Sequence, residues 1–474
     1  MRGELLVEIL VIGNGFDLAH GLPTKYTDFL EFVKMIKIIK EQNIFNNSSL
    51  ISDAGCNDKN EKLHKAIQLA ILHKASADKL EKESEELVNC IEDNFWIDYY
   101  LECPMYQKEN WIDFESEISK LIRSIDDDMK KGGLDESAIV KSCRNSFLAK
   151  RFLGNMNEKE WERKQRANKE IEKLEKDEGK RWSVLEKTEY IYDYENTHPL
   201  ENVRGPITYK QMISKLEQDL DRLIRALEIY LVEYVNKIDC VILPDIQDIS
   251  AGTVLSFNYT DTYMRLYDEE ESFTDYDYIH GKADLNHSIV TNNMVLGIDE
   301  YLSPKRCNKE IEFIAFKKFY QRILKKTGCR YREWIEKIQN KYEEILDAEN
   351  VCLTMRKNAM RAGNMDKADE WHEKALGHAA ERKEMHNLYI FGHSLDVTDK
   401  DILRDLILND NVKTTIYYNK KYYKDGSDDN GKKSLGEKIS NLVKVIGQDE
   451  LIKRTGGGTR TIEFKLQQDI VKKV

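Results

Sequence analysis

The chain has 474 residues, which is longer than one compact core usually organises, and its 41% hydrophobic and 33% charged residues argue against a disordered chain. The net charge of −12 comes from 73 basic and 85 acidic residues mixed along the sequence, so nucleic-acid binding through a broad basic face is not expected. The eight cysteines are scattered without a close pair, which argues against structural zinc and a disulfide framework and suits a reduced cytoplasm.

The first predicted element is a buried strand at residues 5–12, followed at once by a glycine-containing loop. The apolar run is too short for a secretory signal or a membrane span, so we expect a cytoplasmic protein with no membrane partner. Two glycines separated by one residue let the backbone turn tightly and approach a phosphate, while the next helix offers its free N–H groups. The candidate nucleotide-binding residues of this loop are Gly13, Asn14, Gly15, Phe16 and Asp17.

The loop differs from the dehydrogenase fingerprint, because Leu18 occupies the place of the third glycine in G-x-G-x-x-G. A structural turn between a strand and a helix is therefore an equally good interpretation of this short motif on its own.

Residues 31–240 are predicted to form a helical insertion. Leucines at 216, 220, 223, 227 and 231 recur at the spacing of one stripe of an amphipathic helix, which predicts core packing. The charged stretch 155–182 favours a solvated or coiled-coil-like helix, with a partner-binding arm as the alternative. Asp113 and Glu115 are candidate carboxylates for a nuclease-like effector, but we favour a structural role on a helix.

Several later segments are predicted strands, and polar residues follow three of them. The segment 253–257 precedes Asn258, which can bind a ligand or cap the next helix. The segment 276–279 precedes His280 and Gly281, where the histidine is either a general base or a structural residue. The segment 388–391 precedes Gly392 and Ser394. Further strands are predicted at 294–298, 414–418 and 461–466.

A parallel sheet would bring these strand ends to one edge. We therefore predict an α/β fold with a Rossmann-like parallel sheet core and large helical insertions. The core comprises residues 1–30, 241–307 and 387–474, where the last range includes the C-terminal region. The insertions comprise residues 31–240 and 308–386.

The order of these motifs resembles the sirtuin superfamily. The loop at residues 13–17 with Gly21-Leu22-Pro23 is similar to the sirtuin glycine loop, and Asn258, His280-Gly281 and Gly392-His393-Ser394 are similar to its later motifs. The resemblance implies NAD as a ligand. Asp17 replaces the usual serine, Thr260 stands where an aspartate often follows, and the zinc-binding cysteine pairs are missing. Lysine deacylation is therefore not expected, no metal is expected, and water is the expected acceptor.

A resemblance to the AbiH family of bacteriophage abortive-infection proteins spans most of the length. It rests on residues 13–24, on Trp111-Ile112-Asp113-Phe114-Glu115, on Phe257-Asn258-Tyr259-Thr260, on Ile279-His280-Gly281 and on Phe391-Gly392-His393-Ser394-Leu395. This resemblance implies a role in phage defence.

Together the two resemblances imply a defence protein that hydrolyses NAD to nicotinamide and ADP-ribose. Asn258 would position the ribose and a water, His280 would act as general base, and Gly392 and Ser394 would join the glycine loop in holding the dinucleotide. The alternative is a module that senses NAD or ADP-ribose without turnover and signals to a helical effector. The expected partners are NAD or a related dinucleotide, a phage-derived trigger and further copies of the chain in a homo-oligomer.

Overall fold

The computed structural model describes residues 7–41, 78–153, 167–177, 179, 181–183, 186–187, 190–191, 207–249, 251–268, 274–302, 311–382, 385–409, 411–420, 428–457 and 460–468. The chain divides into two compact units, one formed by 1–92, 222–300 and 318–474, the other by 93–221 and 301–317. Of the predicted insertions, residues 31–92, 222–240 and 318–386 group with the sheet, while residues 301–307 of the predicted core group with the second unit.

A six-stranded parallel sheet forms the centre of the first unit, with the order β3-β2-β1-β4-β5-β6. Its strands are β1 (Glu8–Ile12), β2 (Thr253–Ser256), β3 (Asp275–Tyr278), β4 (His386–Phe391), β5 (Val412–Tyr418) and β6 (Ile462–Leu466). The Rossmann-like α/β prediction is confirmed. The chain moves to one side of β1 for β2 and β3 and to the other side for β4 to β6, so the topological switch point lies between β1 and β4.

Both faces of the sheet are buried, as its central strand shows. Ile9 and Val11 belong to one apolar cluster, while Leu10 and Ile12 belong to a second cluster. Side chains alternate along a strand, so the two clusters lie on opposite faces. The described helices of this unit are Asn14–Ala19, Tyr26–Glu41, Asp78–Ile91, Pro244–Gln247, Thr262–Tyr267, Lys318–Lys325, Tyr331–Arg361, Met365–Glu381, Lys400–Ile407, Lys432–Ile446 and Gln448–Thr455, together with residues 222–229 of the helix Tyr209–Ile229. A π-helical turn at Tyr230–Tyr234 and 3-10 turns at Val235–Lys237 and Val397–Asp399 also belong to it.

The predicted strand at 294–298 is wrong. The backbone of this buried segment forms hydrogen bonds with a side chain and with a neighbouring turn, and not with a strand of the sheet. The carboxamide of Gln321 accepts a hydrogen bond from Leu296 N at 2.9 Å and donates to Leu296 O at 3.0 Å. Val295 N donates to His280 O at 2.8 Å. One side chain thus satisfies both backbone groups of a buried residue, as a neighbouring strand would. Apolar composition alone does not distinguish a segment that pairs with a strand from one whose backbone is satisfied by a side chain.

The helix Lys318–Lys325 has an unusual orientation, with polar residues inside and apolar residues outside. Lys318 and Gln321 are 8% and 5% exposed, whereas Phe319, Ile323 and Leu324 are 45%, 73% and 64% exposed. This helix is therefore attached through hydrogen bonds and charges more than through apolar burial.

The second unit is helical in its described part, with Phe95–Glu102, Pro104–Glu109, Phe114–Gly132 and Ser146–Leu148, a π-helical turn at Ala149–Leu153 and a 3-10 turn at Ile314–Phe316. Residues 209–221 of the helix Tyr209–Ile229 also belong to it. The leucine stripe predicted to pack is buried along its whole length. In the predicted stretch 155–182, residues 167–177 are helical, while 155–166 lie outside the described residues.

Asp113 has a structural role at the start of the helix Phe114–Gly132. Its carboxylate accepts hydrogen bonds from Glu115 N at 3.0 Å and Ser116 N at 3.3 Å, as an N-cap residue does. No helix in the described part of the chain is both long enough and apolar enough to span a bilayer.

Candidate functional site

The loops that follow β1 and β4 lie in backbone contact at the switch point. Gly13 N donates to Phe391 O at 3.2 Å, and Gly15 N donates to Gly392 O at 2.8 Å. A Cβ atom on Gly15 would lie 2.7 Å from Gly392 O, and one on Gly392 would lie 2.5 Å from Gly15 C and would also collide with Phe16 N. Glycine is therefore required because the two loops occupy each other's side-chain space.

This contact bears on the predicted nucleotide-binding role of the glycine loop, which stays a prediction. The loop is predicted to bring its backbone close to a phosphate, and in the structure the amides of Gly13 and Gly15 each donate to a carbonyl of the β4 end. The Phe16 N–H donates to Gly13 O at 2.8 Å. The loop joins β1 to β4 and does not present these three amides to a ligand.

Three further residues of the predicted binding site differ in their surroundings, since one lies in the apolar core and two lie at the surface. Phe16 packs in the core, with its ring centroid 5.9 Å from that of Phe391. Asn14 is exposed, and its side chain accepts a hydrogen bond from Thr24 Oγ1 at 2.6 Å. Ser394 is exposed, and its carbonyl accepts a hydrogen bond from Asn441 Nδ2 at 3.1 Å. The Phe16 side chain is therefore a core residue, and a role of Phe16 in binding a nucleotide stays a prediction.

Asn258, at the end of β2, ties that strand end to the glycine loop. Its Nδ2 donates to Gly13 O at 3.0 Å, and the residue is 5% exposed. The next helix, Thr262–Tyr267, begins after Asp261, so Asn258 is not its cap. Its Oδ1 is buried and accepts no hydrogen bond.

Asp17 is a carboxyl buried beside β2. Its Oδ2 accepts a hydrogen bond from Thr260 Oγ1 at 2.6 Å, while its Oδ1 is buried without a partner. Burial raises the pKa of Asp17 to about 6, against the opposing effects of Thr260, Thr262, Arg265 and Asn258. The sequence could identify this residue but not its buried, weakly acidic state.

Asp17 is expected to cost stability at neutral pH. The folded pKa of about 6 lies above the ordinary 3.8, so the folded state holds the proton longer than the unfolded state does. Stability should therefore fall as the pH rises from about 4 to about 6, by roughly 3 kcal/mol for a shift of this size. We expect Asp17→Asn to remove this dependence and to raise the free energy of unfolding at pH 7 by up to roughly 3 kcal/mol. Urea unfolding of the wild-type chain and of Asp17→Asn at pH 4 and pH 7 measures this dependence. The same change in stability between the two pH values in both chains would contradict the prediction.

His280 lies at the end of β3 in a buried setting. Its side chain is 12% exposed, and its Nδ1 has no hydrogen-bond partner. Burial lowers the pKa of His280 to about 3, and the charge of Lys318 acts in the same direction, while Asp399 opposes it. The ring is therefore neutral at physiological pH. Gly281 has φ +78 and lies against the backbone of Asn293, where a Cβ atom would be 2.6 Å from Asn293 C.

Two charged residues that act on His280 were not predicted from the sequence. They are Asp399 and Lys318. Asp399 Oδ1 lies 3.9 Å from His280 Nε2, and Asp399 Oδ2 lies 3.4 Å from His393 Nε2. Burial raises the pKa of Asp399, but the hydrogen bond and charge of His393, together with His280 and Lys318, outweigh burial and lower the pKa to about 2. Asp399 could have been found by extending the search beyond Ser394, whereas Lys318 carried no motif.

Three buried atoms therefore stand without hydrogen-bond partners at the carboxyl edge of neighbouring strands: Asp17 Oδ1, Asn258 Oδ1 and His280 Nδ1. An unsatisfied buried polar atom costs about 1–3 kcal/mol, so a ligand that bonds to such atoms gains that free energy. The two oxygens accept hydrogen bonds only, which suits hydroxyl donors or positive charge rather than phosphate oxygens. Among the residues that the structure describes, no group of three or more His, Cys, Asp or Glu could hold a metal ion.

Comparison with known proteins adds one finding. A family model described as bacteriophage abortive infection AbiH matches residues 9–419, which extend from Ile9 in β1 past the end of β5 and include every predicted site residue. No curated protein and no solved structure matches the chain.

Proposed function

The chain belongs to the AbiH family of bacteriophage abortive infection proteins, and from this premise we propose that it acts in phage defence by hydrolysing NAD to nicotinamide and ADP-ribose. The family membership implies the defence role. The hydrolysis rests on one observation, the three unpartnered atoms of Asp17, Asn258 and His280.

These atoms fit a ribose that carries a cationic leaving group. Ribose hydroxyls are hydrogen-bond donors, and the nicotinamide ring of NAD is positively charged. Cleavage of the glycosidic bond passes through an oxocarbenium-like state that spreads positive charge over the ribose. Fixed oxygens of Asp17 and Asn258 would stabilise that charge without reorganising, which is the main source of electrostatic catalysis.

The proposed reaction balances as a simple hydrolysis. The bond between the ribose carbon and the nicotinamide nitrogen breaks, and its electron pair leaves with nicotinamide, which becomes neutral. A water oxygen bonds to the same carbon and loses one proton. His280 accepts that proton through Nδ1, with the carboxylate of Asp399 beside the opposite edge of the ring to stabilise the imidazolium. A neutral His280 also avoids repelling the cationic substrate.

A second function, NAD or ADP-ribose sensing without turnover, is favoured by two observations. A histidine with a pKa near 3 is a weak base, because general bases work best near the operating pH. The amides of Gly13 and Gly15 are also occupied, which leaves the diphosphate fewer donors. A sensor would bind NAD at the same edge and release it intact.

Constant loss of NAD would kill the host, so the activity must be restrained until infection. We propose that a homo-oligomer provides this restraint and that a phage-derived trigger releases it. NAD hydrolysis is therefore best tested both in isolation and during infection.

The purified chain is incubated with NAD, and nicotinamide is measured by chromatography, while NAD is followed in cells that carry the chain before and after phage infection. We expect nicotinamide release, or a fall in cellular NAD that begins only after infection. If NAD stays constant in both settings while the chain binds it in a titration, the sensing function replaces hydrolysis.

A further inference from the structure

The residues around Asp399 form a connected series that ends on His280. Leu395 N donates a hydrogen bond to His393 Nδ1 at 3.0 Å. When His393 is neutral, its proton is therefore on Nε2, which lies 3.4 Å from Asp399 Oδ2. The other oxygen of the same carboxylate lies 3.9 Å from His280 Nε2.

We propose that Asp399 is a positioning residue, held by His393, that keeps the proton of His280 on Nε2 and leaves Nδ1 as the acceptor. This inference deepens the proposed hydrolysis and rests on it for its catalytic consequence. Its structural part concerns only the protonation state of a histidine ring.

The geometry supports a carboxylate as the group that selects the tautomer. A carboxylate attracts the N–H edge of a neutral imidazole and repels the lone pair of the unprotonated nitrogen. The separation of 3.9 Å exceeds a hydrogen bond, but such contacts often tighten when a substrate binds. The turn Val397–Asp399 places the carboxylate, and Asp396 caps this turn by accepting a hydrogen bond from Thr398 N at 3.0 Å.

The other groups that face His280 do not replace this role. Lys318 and Arg322 are cations and disfavour its protonated form, as does His393. The rings of Phe257 and Tyr259 lie 5.8 Å and 6.5 Å from the imidazole between centroids and bear no negative charge. In contrast to Lys318, Arg322 and His393, the charge of Asp399 raises the pKa of His280.

The test combines Asp399→Asn with Asp401→Asn, which removes the same charge from an exposed position two residues further on. The full chain carries isotope-labelled histidine, and nitrogen and carbon chemical shifts identify the tautomer of His280, with His280→Gln assigning its signals. We expect the wild-type chain and Asp401→Asn to show the Nε2–H tautomer. Asp399→Asn should populate the Nδ1–H tautomer, because a carboxamide can present either a donor or an acceptor.

Activity gives the second measurement. We expect Asp399→Asn to lower kcat for nicotinamide release by about 10²–10³-fold with little change in KM, and Asp401→Asn to retain the wild-type rate. An unchanged His280 tautomer in Asp399→Asn overturns the inference whether or not the chain hydrolyses NAD. A changed tautomer in a chain that never releases nicotinamide supports the positioning role and contradicts only the hydrolysis.

Discussion

Gly392→Ala is expected to lower the free energy of unfolding by about 2–5 kcal/mol, as the sum of backbone strain and overpacking. Gly392 has φ +71, a left-handed conformation that a residue with Cβ adopts at a cost. The added Cβ would collide with Phe16 N and lie 2.5 Å from Gly15 C, and backbone atoms cannot move aside as a flexible side chain can. Relief requires separating the loops that follow β1 and β4.

Urea unfolding followed by circular dichroism measures this loss, and Gly436→Ala is the matched control. Gly436 lies within the helix Lys432–Ile446, and an added Cβ there meets nothing within 4 Å. Alanine in a helix interior is about 0.5–1 kcal/mol more favourable than glycine, so this variant should be slightly more stable. A loss below about 1 kcal/mol in Gly392→Ala would show that the two loops tolerate separation.

Replacement of His280 by alanine is expected to lower the rate of nicotinamide release by about 10²–10⁴-fold, the usual contribution of a general base. The variant removes a ring whose Nδ1 has no hydrogen-bond partner in the protein. Asn258→Ala should also abolish NAD loss, but it also removes the hydrogen bond to Gly13 O and so disturbs the glycine loop. His280→Ala is therefore the cleaner test of catalysis.

His378→Ala is the control for the His280 variant, because His378 lies in the helix Met365–Glu381, outside the sheet edge. Nicotinamide release is measured for both variants beside the wild-type chain, and thermal unfolding verifies that each is folded. Undiminished release in His280→Ala would remove His280 from the mechanism and leave Asp17 as the titratable group beside Asn258.

The strands that bear the predicted site could be identified from sequence, because a short apolar run followed by glycine or a polar residue is a local pattern. The polar residues then share an edge because parallel strands end on the same side. The role of Gly13 and Gly15 could not be predicted in the same way. A glycine in the sequence indicates that another group lies close to the backbone, but it does not indicate whether that group is a phosphate or, as here, a second loop.

The partners of His280 could not be paired with it from sequence for a different reason. Asp399 follows shortly after Ser394 and Lys318 stands in no motif, but both come from elements far from β3 along the chain, so no local pattern links either of them to His280. Their effect on His280 depends on a charge placed within a few ångströms in a buried setting. The failed strand at 294–298 has the same origin, since its hydrogen bonds go to the side chain of Gln321.

The helix Lys318–Lys325, whose apolar residues face outward, has a consequence for motion near His280. Detaching it would newly expose few apolar side chains of the helix itself, because Phe319, Ile323 and Leu324 are already exposed. Denaturants act in proportion to the surface that unfolding exposes, so they would promote this opening only weakly. Global unfolding of the doubly covered sheet would respond strongly. We therefore expect the cost of a local opening of the segment that carries Lys318 to be set by its hydrogen bonds, such as those of Gln321 with Leu296, more than by burial of its own apolar side chains.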